Sequence, residues 1–432
     1  MYNSVFIPGK NWTLSLAELI AFLEIREYKF KILSFSKEYF IVRFEKKFDP
    51  SIIDGLGGII KIGEIKATFS TDILDKAIVQ KDKPSKKEIE NIFADTTIID
   101  DLISSTKKIF FGVSVYSSEK RFRKIIKASQ RFFGSIIKRK LSEQGQKSRF
   151  MGFSKDRKLP QLSHVEVLKK ALISNNAELI IGIGKNKIWV STTKAVHNPF
   201  EFQKRDVYKP IQRKIFGIPP RLAKTLINLS SCNQGNSLLD PFCGVGTILQ
   251  EGLLTKSKVI GVDINPWCIK SAERNLEWLS KEYELTKPDY RVLQGDIKDL
   301  SKKIGYNEID CVATEPDLGP ALRQIPTTPY AKKIIMKLDN LYSIFLNETY
   351  KVLRKDGRCV FVTPYLKTRS GQIVTMNVDE KAKNIGFRRV FPFQRENFEK
   401  ISSTKEEILK INSLIDTNER HKIGREIHIF QK

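Results

Sequence analysis

Apolar positions along this chain recur in short runs, some alternating with polar residues and some at helical spacing. Val5-Phe6-Ile7-Pro8-Gly9 and Tyr39-Phe40-Ile41-Val42-Arg43-Phe44 read as strands, and residues 14–23 as a helix capped by Asn11 or Thr13. Gly55-Leu56-Gly57-Gly58 breaks the segment that follows. Residues 109–116 predict another strand, and the helix after it carries Phe122, Ile125, Ile126, Phe133, Ile136 and Ile137 on one side. A helix over 165–173 and strands over 178–183 and 187–192 follow. Residues 196–220, rich in Pro, Asn and charge, predict a linker. After a helix at 221–229, strands at 237–239, 258–262, 290–293, 310–314, 358–363 and 425–430 alternate with helical stretches. That alternation predicts an α/β domain with a parallel, doubly wound sheet over 221–432, preceded by α+β units over 1–80 and 85–195.

Length agrees with several cores: the chain has 432 residues and an apolar share of 41%. Charge adds a partner. Lys+Arg number 75 against 49 Asp+Glu, a net of +26, and residues 119–158 alone hold 14 basic and 3 acidic residues. Lys120, Arg121, Lys124, Arg131, Lys138, Arg139 and Lys140 are the candidate contacts of this basic stretch, the electrostatic footprint of a nucleic acid. No apolar run approaches the ~18 residues of a spanning helix, and the start shows no signal-peptide pattern, so a cytoplasmic protein with no membrane partner is expected. Cys232, Cys243, Cys268, Cys311 and Cys359 are widely spaced without C-x-x-C pairs, which predicts neither a zinc site nor a disulfide framework. His164, His197, His421 and His428 are scattered, and no metal is expected.

The chemistry concentrates at predicted strand ends. Leu238-Leu239-Asp240-Pro241-Phe242-Cys243-Gly244-Val245-Gly246-Thr247 reads as a buried strand, a glycine turn and a helix start. Gly244 and Gly246 let backbone approach a ligand. Asp263 closes the next strand, 19 positions after Gly244, where a carboxylate can take two ribose hydroxyls. Asp296 ends the third strand, within reach of an adenine edge. A dinucleotide fits less well: the third glycine place is Leu249, and acidic Asp240 opposes a pyrophosphate. A nucleoside carrying positive charge, S-adenosylmethionine, fits better. Its candidate contacts are Asp240, Phe242, Gly244, Gly246, Thr247, Asp263 and Asp296.

The fourth strand ends in Thr314-Glu315-Pro316-Asp317-Leu318-Gly319-Pro320. A side-chain oxygen and a backbone carbonyl at this place can grip the hydrogens of an exocyclic amine, aim its nitrogen and stabilise developing positive charge. Glu315 is the side-chain acceptor, Pro316 the carbonyl, and Asp317 completes the catalytic candidates. Enzymes that methylate such amines hold Asp or Asn, two prolines and an aromatic here. This chain has Glu315, Asp317 in place of the second proline, and Leu318 in place of the ring. Phe242, Tyr330 and Tyr365 are possible substitutes for stacking a base.

On these residues the chain resembles the THUMP-domain tRNA guanosine-N2 methyltransferases. The resemblance spans Gly9 with Leu14-Ser15-Leu16-Ala17-Glu18-Leu19, the linker residues Arg205-Asp206, Lys209-Pro210 and Gly217-Ile218-Pro219-Pro220-Arg221-Leu222-Ala223, the Asp240 turn, and Arg425-Glu426-Ile427. It implies a ferredoxin-like domain over 1–80, a THUMP domain over 85–195, a linker over 196–220 and a Rossmann-like methyltransferase domain over 221–432. It also implies tRNA as partner and a guanosine N2 amine as target, and names no accessory protein. The departure at residues 315–318 leaves two other readings open: amine methylation of adenine or cytosine in rRNA or DNA, and an RNA-binding homologue without catalysis.

Overall fold

The computed structural model describes residues 1–94, 97–102, 108–151, 161–174, 177–213, 217–417 and 422–432. His421, linker residues 214–216 and the charged stretch 152–158 lie outside the described residues. The first half forms one eight-stranded sheet from β1 (Tyr2–Pro8), β2 (Phe30–Phe35), β3 (Phe40–Phe44), β4 (Ile59–Ser70), β5 (Ile109–Ser117), β6 (Ser148–Phe150), β7 (Glu178–Ile183) and β8 (Lys187–Val196), in the order β2-β3-β1-β4-β8-β7-β5-β6. The 12-residue β4 is the seam, antiparallel to β1 on one side and to β8 on the other. It shows no clean alternation in sequence because its register against β8 slips twice, at Ile62/Gly63 and Ile65/Ala67. Beside the seam Lys61 and Glu178 form a buried ion pair. Lys61 Nζ also donates to Leu162 O at 2.7 Å, and Glu178 accepts from Ser114 Oγ at 2.7 Å and Thr193 Oγ1 at 2.9 Å, which offsets the desolvation of both charges.

Helices Thr71–Ile78, Lys83–Ala94 and Ile126–Glu143 share a core with this sheet around Phe69, Phe93, Phe111, Phe133 and Ile137. The helix predicted after β5 opens with a 3₁₀ turn, Lys120–Ile125, and becomes α-helical at Ile126. With its buried Glu18 accepting from Gly57 N, Gly58 N and Asn228 Nδ2, helix Trp12–Ile25 is mostly apolar around its circumference and buried from Leu14 to Leu23. It needs to be, because it lies between the first sheet and helix Pro220–Leu229 of the second half, and the two halves share one hydrophobic core there.

The second half contains β9 (Ser237–Asp240), β10 (Lys258–Asp263), β11 (Tyr290–Gln294), β12 (Ile309–Thr314), β13 (Leu353–Lys367), β14 (Ile373–Val374), β15 (Arg388–Arg389), β16 (Ser413–Asp416) and β17 (Gly424–Gln431). Their sheet runs β11-β10-β9-β12-β13-β17-β15, with β9 to β13 parallel and β17 antiparallel to β13. The alternation of strands and helices thus forms the expected Rossmann-like sheet. Chain order reverses between β9 and β12, so the ligand crevice belongs outside their carboxyl ends.

Two local expectations are corrected. The linker contains a helix, Pro199–Val207, capped by Asn198 Oδ1, because Pro199 occupies the first helical turn, where its missing N–H costs nothing. Cys232 and Cys311 are joined in a disulfide with Cα atoms 5.7 Å apart, while Cys243, Cys268 and Cys359 are free and buried. Helix Pro220–Leu229 packs beside β12 and brings together cysteines separated by 79 positions.

Candidate active site

β9 delivers Asp240 to the bottom of the crevice, where it is 2% exposed. Its Oδ1 accepts from Thr314 Oγ1 at 2.6 Å and from Phe242 N at 3.2 Å, which ties the ends of β9 and β12. Gly244 and Gly246 both take left-handed backbone, at φ +51° and +84°. A Cβ on Gly246 would also press on Ala272 Cβ at 3.1 Å, so the turn and helix Pro266–Glu282 approach as closely as only glycine permits. Asp263, at the end of β10, uses both oxygens on backbone: Oδ2 accepts from Gly244 N at 3.0 Å and Oδ1 from Asn265 N at 2.9 Å. Asp296 follows β11, accepts from Lys298 N at 3.1 Å and pairs with Lys298 Nζ at 3.4 Å. Thr247 is buried and its hydroxyl accepts from Lys209 Nζ at 2.9 Å. Phe242 is half-buried, its ring edge-on to Phe345.

Glu315 leaves the end of β12 and meets Arg425, from β17, in a two-point pair: Nε to Oε2 at 2.5 Å and Nη2 to Oε1 at 3.2 Å. Both side chains are nearly buried, 9% and 10% exposed. Pro316 is buried, and Asp317 is exposed with Oδ1 accepting from Gly319 N at 2.9 Å. The structure therefore brings Asp240, Asp263, Asp296 and Glu315 to the carboxyl ends of four neighbouring strands. Burial pushes the Asp240 carboxyl up to about 7, and the negative charges of Asp263 and Glu315 add to the rise, against hydrogen bonds from Thr314 and Phe242 that lower it. A glycine turn rimmed by carboxylates suits a cationic nucleoside and repels a pyrophosphate.

Sequence reasoning missed the supports of this site. Arg425 was visible only as part of a terminal strand. Arg205 Nε and Nη2 bind the fully buried Glu251 at 2.5 and 3.3 Å, and Lys224 Nζ adds a 3.3 Å contact. Asn275 holds Ile211 by donating to its carbonyl and accepting from its N–H, both at 2.9 Å. The Arg205–Glu251 bonds tie the linker helix to the helix that starts at Thr247, and Asn275 ties the linker to helix Pro266–Glu282. One signal was available: Gln250 and Glu251 stand on a helix whose other residues are mostly apolar, and polar groups there need buried partners.

The predicted RNA contacts lie on the 3₁₀ turn Lys120–Ile125 and the helix Ile126–Glu143 of the first half. Lys120, Arg121, Lys124, Arg131, Lys138 and Arg139 are exposed and Lys140 is half-buried. Arg139 pairs with Glu90 and Glu143, Lys140 with Glu143, and Arg121 donates to Lys185 O. Arg131 and Lys138 line a cleft of about 520 Å³ together with Lys108, Arg149 and Phe150. Among the described residues there is no group of side chains that could hold a metal and no helix long and apolar enough to cross a membrane.

A family model described as the RMKL-like methyltransferase domain UPF0020 matches residues 210–389, and a DNA methylase model matches residues 29–274. A probable tRNA (guanine(10)-N2)-dimethyltransferase of Methanothermococcus thermolithotrophicus is 35% identical over 146 residues, 33% of this chain and 79% of that one. The chain belongs to the family of the tRNA (guanine-N2)-dimethyltransferases and carries a UPF0020 methyltransferase domain. Other family members are covered over a smaller share of their own length: the tRNA (guanine(10)-N2)-dimethyltransferase of Pyrococcus abyssi is 30% identical over 41% of this chain and 48% of its own. That of Methanothermobacter thermautotrophicus is 29% identical over 36% and 42%. The chain thus spans about half the length of these two curated relatives. The crystal structure of TrmN from Thermus thermophilus shares the fold from end to end, with a TM-score of 0.53 over 100% of this chain and 99% of that one at 14% identity. Within this family fold the Asp240 turn and Glu315 occupy the crevice at the switch point of the sheet.

Proposed function

We propose that this protein methylates the N2 amine of a guanosine in tRNA, with S-adenosylmethionine as the methyl donor, in the cytoplasm. The observation that carries the reading is the convergence of Asp240, Asp263, Asp296 and Glu315 at four adjacent strand ends in a chain of this family. Asp263 and Asp296 would hold the ribose and adenine, and Asp240 would face the cationic end. The cofactor, when bound, supplies an electrophilic methyl on a sulfonium. Glu315 retains lone-pair directions beyond the two that Arg425 uses, and these can accept an amine hydrogen. The Pro316 carbonyl can accept the other, which aims the nitrogen and stabilises charge as it develops. The basic face at 120–140 would hold the tRNA through its phosphates, and the target base must leave its stack to reach Glu315.

Asp240 makes the reading testable by pH. Its folded value, about 7, lies above the 3.8 of an unperturbed Asp, so burial costs stability as pH rises from 3.8 toward 7. A cation bound beside it recovers that cost. Affinity for S-adenosylmethionine should rise with pH up to about 7 and level off above, with proton release between buffers of different ionisation heat; Asp240→Asn should flatten the profile. A pH-independent wild-type affinity would remove Asp240 from the cofactor's cationic end.

Substrate is tested by labelled methyl transfer to unmodified tRNA, with duplex DNA in parallel because a DNA methylase model also matches the chain. Transfer to tRNA alone is expected, and equal transfer to DNA would reverse the assignment. Asp263→Ala should weaken cofactor binding at least tenfold, at the ~1.4 kcal/mol level of one lost charged hydrogen bond, with tRNA affinity unchanged. The full pairing of Glu315 with Arg425 favours one other reading, an RNA-binding homologue without transfer; cofactor binding with no transfer to any nucleic acid would establish it.

A further inference from the structure

Tyr330 is a large ring with nothing to do inside the fold. It is 46% exposed and, among the described residues, makes no ring stacking, hydrogen bond or cation–π contact. It stands in the first turn of helix Thr328–Val352 and lines a cavity of about 420 Å³, whose opposite wall is the loop that follows Glu315: Asp317, Gly319 and Pro320. Lys333 and Lys337 line the same cavity, exposed and, among the described residues, without an ion pair. At spacings of three and four, Tyr330, Lys333 and Lys337 share one helix face.

The loop itself has no ring to offer. Leu318 is 8% exposed and packed into the core. Its neighbours are pinned: the Tyr342 hydroxyl lies 3.1 Å from Asp317 O and 2.9 Å from Val362 O, and Gly319 turns at φ +98°. A ring with two ammonium groups on its helix face, open to solvent and lining one cavity with Asp317, two residues past Glu315, has the chemistry of a nucleotide clamp, with a face for a base and cations for phosphates. The cavity volume is that of a small-ligand site.

We infer that Tyr330 stacks the base presented to Glu315, and that Lys333 and Lys337 take the phosphates beside it. This rests on the methyl-transfer reading above. Steady-state kinetics on unmodified tRNA should compare the wild type with Tyr330→Ala, Tyr330→Leu, Tyr330→Phe and Lys333→Ala/Lys337→Ala. Tyr330→Ala is expected to lower kcat/KM for tRNA by about 5- to 150-fold, Tyr330→Leu to recover little, and Tyr330→Phe to stay near wild type. Affinity for S-adenosylmethionine should not move. The lysine variant should reduce the salt slope of tRNA binding by about one unit per lysine removed. Wild-type kcat/KM in Tyr330→Ala, beside an active wild type, overturns the inference and leaves the reading intact. Parallel loss of cofactor affinity overturns it by showing a structural role. A wild type that transfers no methyl overturns both.

Discussion

Glu315→Gln should lower methyl transfer by about 10²–10³-fold, the scale of losing one preorganised electrostatic group at a reacting centre, while cofactor and tRNA affinities stay near wild type. Glutamine keeps the shape and one acceptor oxygen but loses the charge that opposes the positive charge developing on the amine. Arg425 sharpens the expectation. It fixes the carboxylate at two points, which compensates for the extra methylene that glutamate has over the Asp or Asn expected at this place. Arg425→Lys should therefore lower kcat with little change in KM, because one flexible ammonium cannot hold a carboxylate at two points. Single-turnover transfer separates these effects from binding. Full activity in Glu315→Gln would exclude Glu315 as the acceptor.

Glu251→Leu should destabilise the protein by about 3–5 kcal/mol, the cost of removing one partner from a buried ion pair. Glu251 is fully buried and neutralises two cations, Arg205 from the linker helix and Lys224 from helix Pro220–Leu229. Leucine would leave buried Lys224 without a carboxylate and Arg205 with only a 3.9 Å contact to Glu201. The same helix begins at Thr247, where Lys209 is bound, so the loss should reach the cofactor turn and weaken its ligand as well. Urea unfolding followed by circular dichroism measures the first effect and calorimetry the second. A change below about 1 kcal/mol would place the linker's anchorage elsewhere.

What was legible in the sequence was whatever repeats with a short period or ends an apolar run. Asp240, Asp263, Asp296 and Glu315 each follow a run of strand residues, so their place at the mouth of a parallel sheet could be read from local pattern alone. Partners distant in sequence could not. Glu315 and Arg425 are separated by 110 positions and Arg205 and Glu251 by 46, and no local rhythm marks either pair. β4 escaped because its bulges break the alternation, and the linker helix because Pro199 at a helix start looks the same in sequence as Pro in a loop. The Cys232–Cys311 bond depends on how helix Pro220–Leu229 packs, which spacing does not encode. Helix Trp12–Ile25 was read correctly as a helix, yet its mostly apolar surface carried a second message: it is covered on both sides, by its own sheet and by the second half.

By our proposal this crevice transfers a methyl group to a guanine amine of tRNA. Nucleoside mass spectrometry of unmodified tRNA incubated with the protein and S-adenosylmethionine tests it most directly. N2-methylguanosine or N2,N2-dimethylguanosine should accumulate with the wild type and be strongly reduced with Glu315→Gln. A methyl group found on adenine or cytosine instead, or none at all from protein that binds the cofactor, would contradict it.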